Sequence, residues 1–416
     1  MYVNLGLRDG SVGRGGVRRT GQWIIAAALG ATLAMAGCSS GSGQPTSGEI
    51  SGGQPDKGGA QQAAPAVVKP AAAVKLLPAA GTQDVAPAAP VSVTVTDGTI
   101  DTLTLTNPDG KQVAGALSAD KTSYTITEAL GFNKTYTWNG TATGTDGKPT
   151  QITGNFSTVK PKRTVRGSIN TADGGTYGIA QPIAITFDAA VSDKAAAQKA
   201  LTVQTSVPTE GAWAWLSDRT VHWRPKAYWQ PGTKVTVTAK LYGVKYADGS
   251  YGRDDVVSHF SIGRSQVVKA NTETHRWVVI RDGQQVADYP ASYGLDADPG
   301  RVTKSGVHVV MGKSETYFMN NPKYDYENVE VHWAVRISNN GEFSHAAPWS
   351  LGQQGKRNVS HGCANLSPAN AKAYYDSVLP GDPVEIVGSS QKLGPQDGDY
   401  YDWTYDWAQW VAKSAA

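Results

Sequence analysis

Cysteine is nearly absent. The 416 residues hold two, Cys38 and Cys363, which excludes a disulfide framework and any four-cysteine zinc site. A surplus of either charge is missing too, with 38 Lys+Arg against 35 Asp+Glu. Arg8, Arg14, Arg18 and Arg19 less Asp9 supply the whole net charge of +3, so the rest of the chain is close to neutral. No basic face remains for nucleic acid, and none is expected as a partner. Aromatic residues are lacking between Ser39 and Tyr124. Elsewhere they are plentiful: 12 Trp and 18 Tyr, with 40% hydrophobic residues overall, exclude disorder of the whole chain and favour β-rich domains. At roughly 100–200 residues per domain, the length allows two to four.

Thr20 to Gly37 carries no charge and contains Trp23, Ile24, Ile25, Leu29 and Leu33. Its apolar centre is short against the roughly 20 residues of a spanning helix, so 1–37 is expected to be a secretory signal. Met35-Ala36-Gly37-Cys38 resembles a bacterial lipobox, which implies lipidation of Cys38 and a membrane tether. An uncut N-terminal anchor is the alternative, and either one places the remainder outside the cytoplasm, facing the cell wall. Residues 38–88, rich in Gly, Ser, Ala, Pro and Gln, are expected to form a flexible linker.

Short alternating runs follow: Val91, Val93, Val95, then Leu103 and Leu105, then Tyr136 and Trp138. Turn signals at Asn107-Pro108-Asp109-Gly110 and Asp146-Gly147 separate them, the pattern of a small sandwich over 89–160. Pro182-Ile183-Ala184-Ile185-Thr186-Phe187 echoes Pro90-Val91-Ser92-Val93-Thr94-Val95. The echo implies a second immunoglobulin-like module over 161–264, with a helical insertion near Lys194–Ala200. Trp213, Trp215, Trp223 and Trp229 are read as core, with a glycan platform as the alternative. A third, different domain is expected over 265–388, where Ser367-Pro368 opens a helix running to Val378 that stops before Gly381. The remainder, 389–416, is a Trp-rich extension.

His345 lies eighteen residues before Cys363, which sits in Ser360-His361-Gly362-Cys363-Ala364-Asn365. A buried, inert Cys would suit an apolar run better than this polar, turn-like one. A zinc site built from His345, His361 and Cys363 lacks an evident fourth ligand. Paired with an imidazolium, a thiol near pKa 8.5 can fall to roughly 3–4, so Cys363 is expected to rest as a thiolate beside a protonated His345. The backbone N–H groups of His361, Gly362 and Cys363 are candidates for an oxyanion site, where a good donor is worth about 2.7–4 kcal/mol. Gly362 permits the turn this needs. The His361 side chain is expected to brace the turn, and Asn365 to order the loop by side-chain hydrogen bonds.

The run from His345 through Ser360-His361-Gly362-Cys363-Ala364-Asn365 resembles the signature of the YkuD-type L,D-transpeptidase catalytic domain. The lipobox, the two modules, His345-Ala346-Ala347-Pro348-Trp349, and Trp403, Trp407 and Trp410 resemble its actinobacterial branch. The resemblance implies a mainly β chain: two immunoglobulin-like sandwiches, then a β-rich catalytic domain with short helices. It implies that the Ala346 backbone carbonyl fixes the His345 tautomer, although relatives often carry Ser at that position. Met319, Tyr326 and Trp349, with Ser360 and Asn365, fall where relatives wall the pocket for the acyl-donor stem. Tyr324 is the alternative to Tyr326, ordinary aromatic packing is the alternative for all of these aromatics, and His308 is read as a strand-face residue.

The implied reaction joins peptidoglycan stem peptides. Cys363 attacks the carbonyl between the third residue and D-Ala of a tetrapeptide, D-Ala leaves, and an amine of a second stem resolves the thioester into a 3→3 cross-link. Carbapenems are implied as thioester-forming inhibitors, and no cofactor or metal is called for. Taken alone, the residues allow a Cys–His carboxypeptidase, an unrelated exported peptidase or a non-catalytic wall-binding lipoprotein.

Overall fold

The structure, a computed structural model, describes residues 69–416. The expected signal, Cys38 and the linker as far as residue 68 lie outside the described residues. Among the described residues no helix is long and apolar enough to cross a membrane.

In the first module the strands Ala73–Leu77, Ser92–Thr96, Ser123–Ile126 and Gly115–Leu117 form one antiparallel sheet. Gly98–Thr106, Thr135–Gly144 and Pro149–Ser157 form the other. Along Thr135–Gly144 exposed and buried positions alternate, sending Tyr136, Trp138 and Ala142 inward. They meet Val91, Val93 and Val95 from the facing sheet in a single core, which makes a sandwich.

The linker expected over 38–88 is corrected at its C-terminal end. Ala73–Leu77 pairs antiparallel with Ser92–Thr96, so the module begins well before residue 89. Only Val74 and Leu76 turn inward on this edge strand, too few apolar residues to stand out from the surrounding Ala and Pro.

The second module packs the four-stranded sheet of Gly211–Trp215, Thr220–Pro225, Ile183–Phe187 and Gly167–Ile169 against a second one. That partner contains Gly175–Tyr177, Val256–Ile262, Lys234–Ala239 and Leu201–Thr205. The helix Lys194–Lys199 is capped by Asp193, whose carboxylate accepts the Ala196 N–H. Trp213, Trp215, Trp223 and Trp229 are all buried in this core, which removes the glycan-platform alternative.

The third domain joins a five-stranded sheet, ordered Gln284–Pro290, Arg276–Arg281, Gln266–Asn271, Pro383–Val387 and Gly306–Val309, to a four-stranded one. The latter is Gly312–Asn321, Tyr326–Arg336, Phe343–Ala346 and Ala364–Leu366. The helix Pro368–Ser377 lays Ala371 and Tyr374 between the sheets against Trp277, Val335 and Leu366. Ser367 caps it, Pro368 opens it, and Gly381 follows at φ +89°.

After residue 388 the chain returns to the second module. The Trp403 and Trp410 indoles donate to the carbonyls of Ala180 and Ala212, each at 2.9 Å. The Arg224 guanidinium lies 4.6 Å from the Trp403 ring and 4.8 Å from that of Trp410. The extension therefore ties the third domain to the second module.

Candidate active site

Phe343–Ala346 and Ala364–Leu366 are short, wholly buried strands that pair in parallel, with His345 opposite Asn365. Their burial is what brings residues eighteen positions apart to one place, because Cys363 directly precedes the second strand. His345 and Cys363 line one cavity of about 310 Å³. Met319, Tyr326, Trp349, Ser360, His361 and Asn365 line the same cavity, so every side chain expected at the site reaches it. Val329, Val331 and Val359 complete the wall and were not anticipated. The two first valines sit on the strand Tyr326–Arg336, and only its pairing with Gly312–Asn321 turns them toward the sulfur.

His345 Nδ1 donates to the Ala346 carbonyl at 2.8 Å, which leaves Nε2 unprotonated in the neutral ring. Trp349, 58% exposed, stands at the rim with its ring centre 5.9 Å from that of His345.

Burial works against the expected resting thiolate. Burial pushes the Cys363 thiol up to about 12, with the Glu342 charge adding to the effect and the Phe343 N–H opposing it. Burial likewise pushes His345 down to about 4, against the hydrogen bond to Ala346. Burial thus opposes the charged form of each group, and the thiol donates to the Gly341 carbonyl at 3.7 Å. Sequence spacing suggests the thiol and the imidazole as partners but does not reveal the desolvation that opposes charge on both.

The turn holding Cys363 is braced on several sides. Gly362 adopts φ +116°, a conformation that strains any residue with a Cβ. Its N–H donates to Ser360 Oγ at 3.2 Å, and the Ser360 hydroxyl donates to the Cys363 carbonyl at 2.6 Å. The Gly362 N–H, one of the expected oxyanion donors, is thus engaged within the turn in this structure. Thr303 Oγ1 donates to the Gly362 carbonyl at 2.7 Å and accepts the Gly294 N–H at 2.8 Å. Arg301 donates through Nε to the Ser360 carbonyl at 3.1 Å and through Nη2 to that of Val359. No local motif announced these two braces, which lie about sixty residues upstream.

Asn365 Nδ2 donates to Ser350 Oγ at 3.1 Å, and Gln354 Nε2 donates to the Ala347 carbonyl at 3.1 Å, a buried network under the His345 loop. His361 lies between two rings of the overlying hairpin, 4.9 Å from Tyr324 and 5.3 Å from Tyr326. Both tyrosines therefore contact the turn, while Tyr326 alone of the two lines the cavity. Burial, then the Arg301 charge, lowers the His361 imidazole below its usual range. His308 is fully buried on its strand. Among the described residues no three His, Cys, Asp or Glu side chains gather in metal-binding proximity.

Comparison with known proteins finds relatives along most of the chain. Residues 265–386 match the L,D-transpeptidase catalytic domain family, and residues 82–245 match a bacterial Ig domain. L,D-transpeptidase 5 of Mycobacterium tuberculosis is 52% identical, over 83% of this chain and 78% of that protein. L,D-transpeptidase 2 of the same species is 40% identical, over 79% of this chain and 81% of that protein. A solved structure of the L,D-transpeptidase LdtMt1 in complex with imipenem is 34% identical and covers 53% of this chain and 97% of that one, with a TM-score of 0.45. With a catalytic-domain match that contains both His345 and Cys363, and relatives matched over most of their length, the chain belongs to the L,D-transpeptidase family.

Proposed function

We propose that this protein forms 3→3 cross-links in peptidoglycan through a Cys363 thioester. The observation that carries the reading is the placement of Cys363 and His345 in one cavity, with His345 fixed by Ala346 in the tautomer whose Nε2 accepts a proton. From two neutral groups, attack and proton transfer occur together. His345 Nε2 takes the thiol proton as Sγ adds to the carbonyl between the third stem residue and D-Ala. The backbone N–H groups of Cys363 and His361 are the donors assigned to the resulting oxyanion. The C–N bond then breaks, the protonated His345 hands its proton to the departing D-Ala amine, and a thioester remains. The side-chain amine of a second stem attacks that thioester, gives a proton to His345 and expels the Cys363 thiolate, which His345 reprotonates.

Met319, Tyr326, Val329 and Val331 form the apolar wall along which the donor stem lies, and Trp349 covers the rim. A carbapenem entering the same cavity would open its lactam on Cys363 and remain as a thioester. The two sandwiches act as spacers that carry the catalytic domain away from a membrane to which Cys38 anchors the chain, outside the cytoplasm.

The test is incubation of the protein with purified disaccharide-tetrapeptide, with products read by mass spectrometry. Cross-linked dimer with release of D-Ala is expected from wild type and none from Cys363→Ala. Release of D-Ala without dimer would make the protein a carboxypeptidase, and equal dimer yield from both proteins would refute the assignment.

A further inference from the structure

Behind the turn that carries Cys363 lie two ionisable groups that the reaction above leaves unused. His308 is 0% exposed and Glu342 is 3% exposed. The His308 Nε2 lies 2.8 Å from the Lys304 carbonyl, and Nδ1 lies 3.3 Å from the Ile337 carbonyl and 3.6 Å from Glu342 Oε2. Both ring nitrogens therefore face oxygen. A neutral ring has one N–H for these acceptors, whereas an imidazolium has two. Glu342 Oε1 accepts the Lys304 N–H at 2.8 Å, but Oε2 is buried without a hydrogen-bond partner. A carboxylate oxygen in that position is costly unless an opposite charge stands beside it, and His308 is placed to supply one.

The pair reaches the nucleophile through chain and space alike. Gly341, just before Glu342, presents its carbonyl to Cys363 Sγ, and Phe343, just after, presents its N–H. The Glu342 Cγ stands 3.6 Å from the point where a side chain on Gly362 would begin. Residues 341–343 thus wrap the sulfur with a carboxylate at their centre. Of the other charged groups nearby, the Lys304 ammonium is turned away onto Asp397 and the Arg301 guanidinium is engaged by the Ser360 and Val359 carbonyls. His345 and Tyr326 line the same cavity as Cys363.

We infer that His308 and Glu342 form a buried charge pair that sets the field at Cys363, the carboxylate opposing a negative sulfur and the imidazolium offsetting the carboxylate. Both are positioning residues, and the inference rests on Cys363 being the nucleophile. The signs give the directions. Removing the carboxylate while keeping its shape favours the thiolate, and removing the ring leaves the carboxylate uncompensated and disfavours it.

The experiment compares wild-type full chain with Glu342→Gln and His308→Gln. Each is alkylated with iodoacetamide from about pH 6 to 10, and Cys363 modification is read on its own peptide by mass spectrometry. Alkylation needs the thiolate and no substrate, so the rate ratio at a fixed pH reports the field at the sulfur. Glu342→Gln is expected to react about threefold faster or more, the factor that half a pKa unit gives, and His308→Gln slower by a similar factor. Thermal melts identify any variant that fails to fold, and the other then decides. Unchanged or slower alkylation of Glu342→Gln, or unfolding of both variants, would overturn the inference in favour of a structural role. A parallel incubation with a carbapenem separates the two readings. If wild type gains no mass while the alkylation rates still shift as expected, the transferase assignment falls and the charge pair stands.

Discussion

His345 and Asn365 stand opposite one another in the parallel pairing of two three- or four-residue strands, and this register places the imidazole beside the loop of Cys363. The same pairing buries both reacting groups. Burial opposes charge on both, which favours a reaction that creates its charges during attack.

That arrangement predicts a particular pH dependence. His345 is a competent base well above about pH 4, and free thiolate accumulates only toward about 12. Carbapenem acylation, measured by intact mass, is expected to vary little between about pH 6 and 9. Iodoacetamide alkylation is expected to climb about tenfold per pH unit over the same range. Two profiles bending together near pH 8.5 would mean that Cys363 titrates as an ordinary thiol.

Replacement of His345 by Gln separates the base from the nucleophile. Acylation by a carbapenem at pH 7 is expected to fall by about 10²–10⁴, the usual contribution of a positioned base. Alkylation at pH 10 is expected to stay within about threefold of wild type, because the thiolate formed there needs no base. Parallel losses in both assays would point to a collapsed site.

Thr303 is a brace that a single substitution can remove. Thr303→Val keeps the shape but leaves the buried Gly362 carbonyl and Gly294 N–H without their partner. A loss of about 1–3 kcal/mol in urea unfolding is expected, together with slower acylation, since the Gly362 carbonyl belongs to the turn that aims Cys363. Full stability with unchanged acylation would show that water replaces the hydroxyl.

Legibility in the sequence followed the range of the interactions. Ser360 through Asn365 could be read because a thiol, an imidazole and a glycine at φ +116° serve the same turn, within a few residues of one another. The helix Pro368–Ser377 could be read from its Ser cap and opening Pro. Arg301, Thr303, Ser350 and Gln354 could not, because they act on backbone carbonyls and hydroxyls that only the folded sheets bring near. The strand Ala73–Leu77 was hidden for a related reason: its stability comes from pairing with Ser92–Thr96, and two half-buried apolar residues leave little periodic trace. The desolvation of Cys363 was least visible, since it depends on Val331, Ala334 and Phe343 packing with it in one buried cluster.

Trp410 tests the role of the C-terminal extension. Its side chain is fully buried, donates to the Ala212 carbonyl and lies against Arg224, all in the second module. Trp410→Ala is expected to cost about 3–5 kcal/mol, seen as a lower thermal midpoint. Carbapenem acylation of the protein that remains folded at 25 °C is expected to match wild type, because no atom of Trp410 lines the cavity. A slower acylation without a lower midpoint would reverse this division of roles.

His345 also links stability to pH. Its folded value of about 4 lies below the ordinary 6.5, so between these values the unfolded chain binds a proton on this ring that the folded chain excludes. The stability contributed by keeping the ring neutral is complete above about pH 6.5 and is lost as the pH falls toward 4. The loss approaches about 3 kcal/mol at 1.36 kcal/mol per pKa unit. Urea unfolding of wild type and His345→Gln at pH 7 and pH 4.5 isolates this ring from the other titrating groups. Wild type is expected to lose more stability than the variant between the two pH values. Equal losses would mean that the imidazole is hydrated and protonates freely in the folded protein, which would also undo the neutral-pair description of the site.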